Sequence, residues 1–374
     1  MTVDSPPSTS SSICNFEQST LKTRTTSKKN FDKVVSESTE NESKQDLAKD
    51  AAQLRKVEEA DRIQIRLALF IDFAIFALSY FYPSFTKFYT LQYRYPDTNK
   101  YDMGIEDSYL VVFSVINLLF VRSFLMLYLL KPIAHSFEMY SVKAIQRFKE
   151  QNWSIIYFSV SWSFGFYLYW KSDYFFNCDK FYDNWPNDKM SAAFKAYYLI
   201  QTACWFQQMI VLHIEAKRKD HFHMFSHHIV TSLLCVGSYA YYFTKIGHVV
   251  FLLMDIGDVL LSSAKVLKYC GYQRLCDGMF AVFLVNWVGL RHIAYNYILY
   301  HAYKNAHNMH GSCEELSQLG DPKICYTDST ITVFLSLLAG LQVIIIFWMC
   351  LIAKVAYSVL SGASADDVRS DDSD

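Results

Sequence analysis

Apolar runs of about twenty residues, the length of helix that crosses the hydrocarbon core of a bilayer, recur along this chain and limit its fold before any motif is read. Eight such stretches fall at roughly 64–84, 107–130, 151–170, 191–213, 225–244, 247–268, 278–303 and 330–357. The first carries Asp72 and the third has a soft start at Asn152. Only Thr244, Lys245, Ile246 and Gly247 separate the fifth from the sixth, which predicts a tight antiparallel pair. With 52% hydrophobic and 17% aromatic residues gathered in these runs, 374 residues read as one membrane protein and not as two soluble domains. The expected fold class is an all-α polytopic membrane protein of about eight transmembrane helices. A formal net charge of −1 argues against a nucleic-acid partner. Nine cysteines without a CxxC pair argue against a zinc ribbon or thioredoxin-type motif.

Composition sets the boundaries. Residues 1–43 are rich in Ser, Thr, Lys and Asn, cannot bury enough apolar surface to offset ordering entropy, and are expected to be disordered. No apolar h-region follows the start, so no cleaved signal peptide is expected. Residues 42–62 are charged and free of Gly and Pro, which predicts a surface helix leading into the first span. This gives a cytosolic N-terminal region over 1–63, two spans over 64–130, a larger helical unit over 150–357 and an acidic tail over 358–374. Ser370 and Ser373 lie among the aspartates of that tail, which reads either as an acidophilic-kinase site or as a solvated, disordered end. Lys131, Lys143, Arg147 and Lys149 between the second and third spans, with Lys217, Arg218 and Lys219 between the fourth and fifth, place those loops and both termini in the cytosol. Cys313 and Cys325 then share a lumenal loop where a disulfide would persist.

The central stretch carries the chemistry. It reads KRKDHFHMFSHHIVT from Lys217 to Thr231 and, one hairpin later, MDIGDVLLSSAK from Met254 to Lys265. An ionisable residue inside an apolar span is costly and points to function. His227 and His228 adjoin at the start of the fifth span, and imidazoles can shuttle protons near neutrality or carry an acyl group. Thr231 shares a face with His227, whereas His228 is rotated from it by about 100°. Asp255, Asp258, Ser262 and Lys265 form a polar stripe on the sixth span. A carboxylate there is suited to orient an imidazole, although helix rise puts Asp258 about 10 Å nearer the hairpin turn than His227. A structural ion pair of Asp258 with Lys265 or Arg291 is the competing reading. Lys217, Arg218 and Lys219 suit the phosphates of a carrier such as coenzyme A, or equally anionic headgroups. Asn286, Arg291, His292 and Asn296 on the seventh span form a second tier of cavity-lining candidates.

Two rival functions start from the same residues. His223, His227 and His228 fit the HxxxHH box of membrane di-iron hydroxylases, but such sites draw on several histidine clusters and only one dense cluster is present; His307 and His310 fall in a loop expected on the opposite face. Intramembrane polar residues also suit a transporter or lipid-binding scaffold, yet no internal repeat or paired broken helix is visible.

The two quoted blocks, together with the order and hydropathy of the spans over about 150–357, closely resemble the ceramide synthases, the longevity-assurance family with its TLC domain. The resemblance implies a bundle of the last six helices around a substrate tunnel. It implies transfer of a fatty acyl group from acyl-CoA to the amine of a sphingoid base, giving ceramide or dihydroceramide in the endoplasmic reticulum membrane. The family's essential histidine pair falls on His227 and His228, and its aspartates on Asp255 and Asp258. Thr231, Ser262, Lys265 and Arg291 are expected to line the substrate site with Lys217, Arg218 and Lys219. No metal and no cofactor is expected, acyl-CoA being a substrate. The short 85–106 connection lacks the homeobox-like insert of many animal members and looks like the fungal type. Such relatives work with a small single-pass accessory subunit, and a paralogous or identical synthase chain is a further expected partner.

Overall fold

A computed structural model of the chain describes residues 52–139, 141–183, 185–214, 221–306 and 327–360. The expectations for residues 1–51, for Lys217, Arg218 and Lys219, for Cys313 and Cys325, for His307 and His310, and for the acidic tail fall outside the described residues. The chain divides into two compact units, 1–59 and 60–374, and the described part of the first is helical.

Long helices cover all eight of the apolar stretches. They are α1 (Ala52–Phe81), α2 (Asp107–Ser136), α3 (Val142–Trp170), α4 (Ala192–Ile214), α5 (His221–Ala240), α6 (Thr244–Tyr269), α7 (Gln273–Asn305) and α8 (Asp328–Leu360). Of these, α1, α2, α7 and α8 are long and apolar enough to cross a membrane. The other four hold buried polar side chains such as Lys149, Lys195, His228 and Asp255, which lower their hydropathy. Asp72 on α1 accepts a hydrogen bond from Asn117 Nδ2 on α2 at 3.3 Å, the kind of partner that makes a carboxylate tolerable in an apolar span. The third helix begins at Val142, well before its apolar part, because 142–151 is amphipathic and buries Val142, Ile145, Phe148 and Lys149.

Packing closes α3 to α8 into a circuit in which α3 lies on α6, α6 on α7, α7 on α8, α8 on α5, α5 on α4 and α4 on α3, with α2 braced against α4. The α5–α6 turn is tight, as its four-residue separation predicts. Tyr242 takes a left-handed conformation (φ 62°), and Phe243 N donates to Ser238 O at 2.8 Å. Gly247 permits the approach of α6 to α4, since a Cβ there would lie 2.1 Å from the Tyr198 hydroxyl. Fully buried His248 donates from Nε2 to Gly165 O (3.0 Å), leaving Nδ1 to accept the Tyr174 O–H at 2.7 Å.

Near the same end, β1 (Lys100–Tyr101) pairs antiparallel with β2 (Met190–Ser191). Beside it, Lys195 has no exposed surface, forms an ion pair with Asp107 Oδ1 at 2.8 Å and donates to the carbonyls of Gln92 (2.8 Å) and Asp102 (2.6 Å). Asp107 Oδ2 accepts from Tyr239 Oη at 2.8 Å and Gly104 N at 3.1 Å. One cation thereby ties the 85–106 connection to α2, α4 and α5. Lys195→Met strands the Asp107 carboxylate and is expected to destabilise the protein by about 3–5 kcal/mol. Thermal melting in detergent reads this as a lowered Tm, with partial recovery in Lys195→Met/Asp107→Asn.

Candidate active site

His227 and His228 lie two turns into α5. Burial of His228 (3% exposed) against Trp205 of α4 sets the rotation of the helix, with ring centroids 5.7 Å apart. His227 is then held between Trp205 (5.5 Å) and Trp348 of α8 (5.0 Å). Its Nδ1 has a long contact of 3.5 Å with Thr231 Oγ1. Nδ1 of His228 is buried without a hydrogen-bond partner.

Two cavities meet at His227. One is polar, lined by Arg122 of α2, Glu150 of α3, Gln207 and Gln208 of α4, both imidazoles, Asp258, Ser262 and Lys265 of α6, and Arg291 of α7. Its wall carries three cationic side chains (Arg122, Lys265, Arg291) against two carboxylates (Glu150, Asp258). The other is apolar and follows one face of α5 through Thr231, Leu234, Cys235 and Ser238 to Phe243 and Ile246 at the hairpin turn. His227, Trp205 and Met254 line both.

Arg291 is placed by local backbone geometry. It sits in a π-helical segment, Trp287–Ala294, interrupting α7. Its Nη2 donates to Met254 O at 2.6 Å and approaches Asp258 Oδ1 at 3.4 Å, while the guanidinium lies 4.1 Å above the Trp287 ring. Gly257 makes room for it, because a Cβ there would stand 2.9 Å from Nη2.

The stripe on α6 is divided. Asp258, Ser262 and Lys265 reach the polar cavity, and Asp258 engages Arg291. Asp255 has no exposed surface, turns toward α4 and accepts Gln201 Nε2 at 2.7 Å. Gln201 in turn accepts the Tyr157 hydroxyl at 2.9 Å. Among the described residues neither imidazole is hydrogen-bonded to a carboxylate, so the orienting role that the sequence suggests for Asp255 or Asp258 is not exercised by direct contact. The depth offset between the residues accounts for this, and Gln201 and Arg291 take the carboxylates instead. On α7, His292 faces Gln342 of α8 (3.3 Å) and so ties the two helices, whereas Asn296 bonds its own helix at His292 O (2.7 Å). Among the described residues no three metal-ligating side chains converge.

Sequence reasoning missed Arg122, Glu150, Trp205, Gln207 and Gln208. Arg122 inside an apolar span and three glutamines within α4 were the available signals.

Comparison with known proteins places this geometry in context. The family model for the TLC domain matches residues 147–354. A sphingosine N-acyltransferase of Schizosaccharomyces pombe is 38% identical over 291 residues, 78% of this chain and 73% of the relative. A ceramide synthase of Gibberella moniliformis is 34% identical over 311 residues, covering 77% and 73%. A ceramide synthase of Saccharomyces cerevisiae is 32% identical over 291 residues, covering 77% and 70%.

Gly257→Ala is expected to crowd the Arg291 guanidinium out of its contacts at a cost of about 1–3 kcal/mol. Gly278→Ala is the matched control, because a Cβ there meets nothing within 4 Å. Melting of the purified variants should show a lowered Tm for the first and an unchanged or slightly raised one for the second, since alanine is the better helix former.

Proposed function

The chain belongs to the TLC-domain family, and from that premise we propose that it is a ceramide synthase, a sphingosine N-acyltransferase that joins the fatty acyl group of an acyl-CoA to the amine of a sphingoid base. The observation that carries this is the position of His227 at the junction of a polar and an apolar cavity, with His228 beside it on the polar side. A fatty acyl thioester has the matching shape. Its chain fits the apolar cavity, its carbonyl falls beside His227, and its anionic carrier lies on the cationic side of the polar chamber.

The chemistry follows from these placements. The amine nitrogen bonds to the acyl carbon, the C–S bond breaks, and the amine proton passes through an imidazole to the departing thiolate. His227, at the junction, is the group placed to accept the acyl carbon if the transfer proceeds through an acyl-imidazole. His228, with Nδ1 unpartnered in the polar chamber, is placed to take the proton. Asp258 acts through Arg291, holding its guanidinium over the chamber, and Asp255 braces α6 against α4. Thr231 positions the His227 ring, while Ser262, Lys265 and Arg291 contact the polar parts of the substrates. Lys217, Arg218 and Lys219 supply further charge for the coenzyme A phosphates. The hydrophobic walls exclude the water that would hydrolyse the thioester. No metal or cofactor takes part.

The same reading makes all eight helices transmembrane, with the last six as the catalytic bundle, both termini cytosolic and the protein resident in the endoplasmic reticulum. Its partners would be a small single-pass accessory subunit and a second synthase chain.

Acyl transfer to dihydrosphingosine, measured on membranes from cells lacking their own activity, tests the proposal. Wild type should form amide, with His227→Ala and His228→Ala at least about 100-fold slower. An inactive wild type, or activity lost to chelation and restored by iron, would overturn it. The far end of the apolar cavity includes Tyr182, stacked on His301 with centroids 5.6 Å apart. Tyr182→Ala is expected to shift preference toward longer chains across a palmitoyl-to-cerotoyl series.

A further inference from the structure

Two buried polar side chains on adjoining helices line the polar chamber, each with one nitrogen that has no hydrogen-bond partner. Gln207 of α4 is 1% exposed, and its amide nitrogen has no hydrogen-bond partner. His228 of α5 is 3% exposed, and its Nδ1 has none either. Both line the same cavity, and α4 packs directly on α5. Buried polar atoms in folded proteins are nearly always paired. Of the nitrogens on this wall that lack a hydrogen-bond partner, those of the Trp287 and Trp348 indoles and Nε of Arg291 belong to groups that only donate. The Gln207 amide and the His228 imidazole belong to groups that both donate and accept, and together they point to a ligand that brings both partners.

Two charged groups of the wall have bonds within the protein. Arg291 is bonded to Met254 O and Asp258, and Glu150 accepts Gln146 Nε2 at 3.0 Å and Arg147 Nη1 at 3.4 Å. A carboxamide both donates and accepts, which is the complement of a hydroxyl. A sphingoid base carries hydroxyls on the two carbons flanking its amine carbon, so one molecule presents an amine and a neighbouring hydroxyl to two adjacent walls. We propose that Gln207 binds a hydroxyl of the acyl acceptor while His228 engages its amine, so that the site selects a vicinal amino alcohol over a plain long-chain amine. This rests on the acyltransferase reading above. It adds a residue that discriminates between acceptors and does not touch the acyl donor.

The test uses the full-length chain in membranes with dihydrosphingosine and its 1-deoxy and 3-deoxy analogues, one acyl-CoA being held constant. For wild type, removal of the recognised hydroxyl should raise the acceptor KM about tenfold, the loss of one buried hydrogen bond. In Gln207→Leu the KM for dihydrosphingosine should rise to that of this analogue, the analogue's own KM should stay the same, and the KM for acyl-CoA should not move. Gln207→Met, which keeps the shape without the amide, should behave identically and guards against a folding defect in the leucine variant. Equal losses on all three acceptors, or a variant that still discriminates as wild type does, would overturn the assignment. If wild type acylates none of the acceptors, the acyltransferase reading fails instead.

Discussion

Charge removed from water is the constraint on which the rest of this structure depends. An isolated ion in hydrocarbon is prohibitively costly, and this chain places ionic groups at both ends and in the middle of its bundle. Lys149 is paired with Asp61 at 3.9 Å, Arg291 with Asp258 at 3.4 Å and Lys195 with Asp107 at 2.8 Å. Each pair joins two different helices, so the electrostatic requirement and the packing of the bundle are met by the same contacts. The apolar surfaces are left to the outside, where Phe70, Phe73 and Val285 are among the most exposed large side chains.

Much of the architecture was legible in the sequence because apolar runs mark long helices, four of them long and apolar enough to cross a membrane. The eight apolar stretches, the tight turn before Thr244 and the polarity of α5 and α6 could all be read from residue type and spacing. The arrangement of the site could not. Asp255 and Asp258 lie on one broad face of α6, yet they meet Gln201 and Arg291 on different neighbours. Spacing reports which side of a helix a residue occupies; the neighbour it faces there is a property of the bundle. Gln207 escaped notice for a related reason, since a single uncharged amide in an apolar span costs less than an ion and stands out less.

On the function proposed above, the two cavities divide the work that one site must do. Ester and amide chemistry needs polar groups and proton traffic, whereas a fatty chain needs a dry slot, and a single wall cannot serve both. Here α5 turns one face to each. His227 belongs to both compartments and His228 to one, so two adjacent identical residues differ in environment through helical rotation alone.

The π-helical segment at Trp287–Ala294 has a consequence for how this protein can change. A π turn holds one residue more than the α turn it replaces, so each residue beyond it sits where an unbroken α-helix would put the residue one position earlier. Upstream, Phe283 and Trp287 face the core; downstream, Tyr295 is fully buried and donates its hydroxyl to Leu338 O at 2.8 Å. Phe283 and Tyr295 are 12 residues apart, which on a regular α-helix would set them about 120° apart; with one residue absorbed the separation falls to about 20°, so both face the core. Loss of one residue from the segment would restore a regular α turn and keep that phase, and what it would disturb is the local backbone that places Arg291.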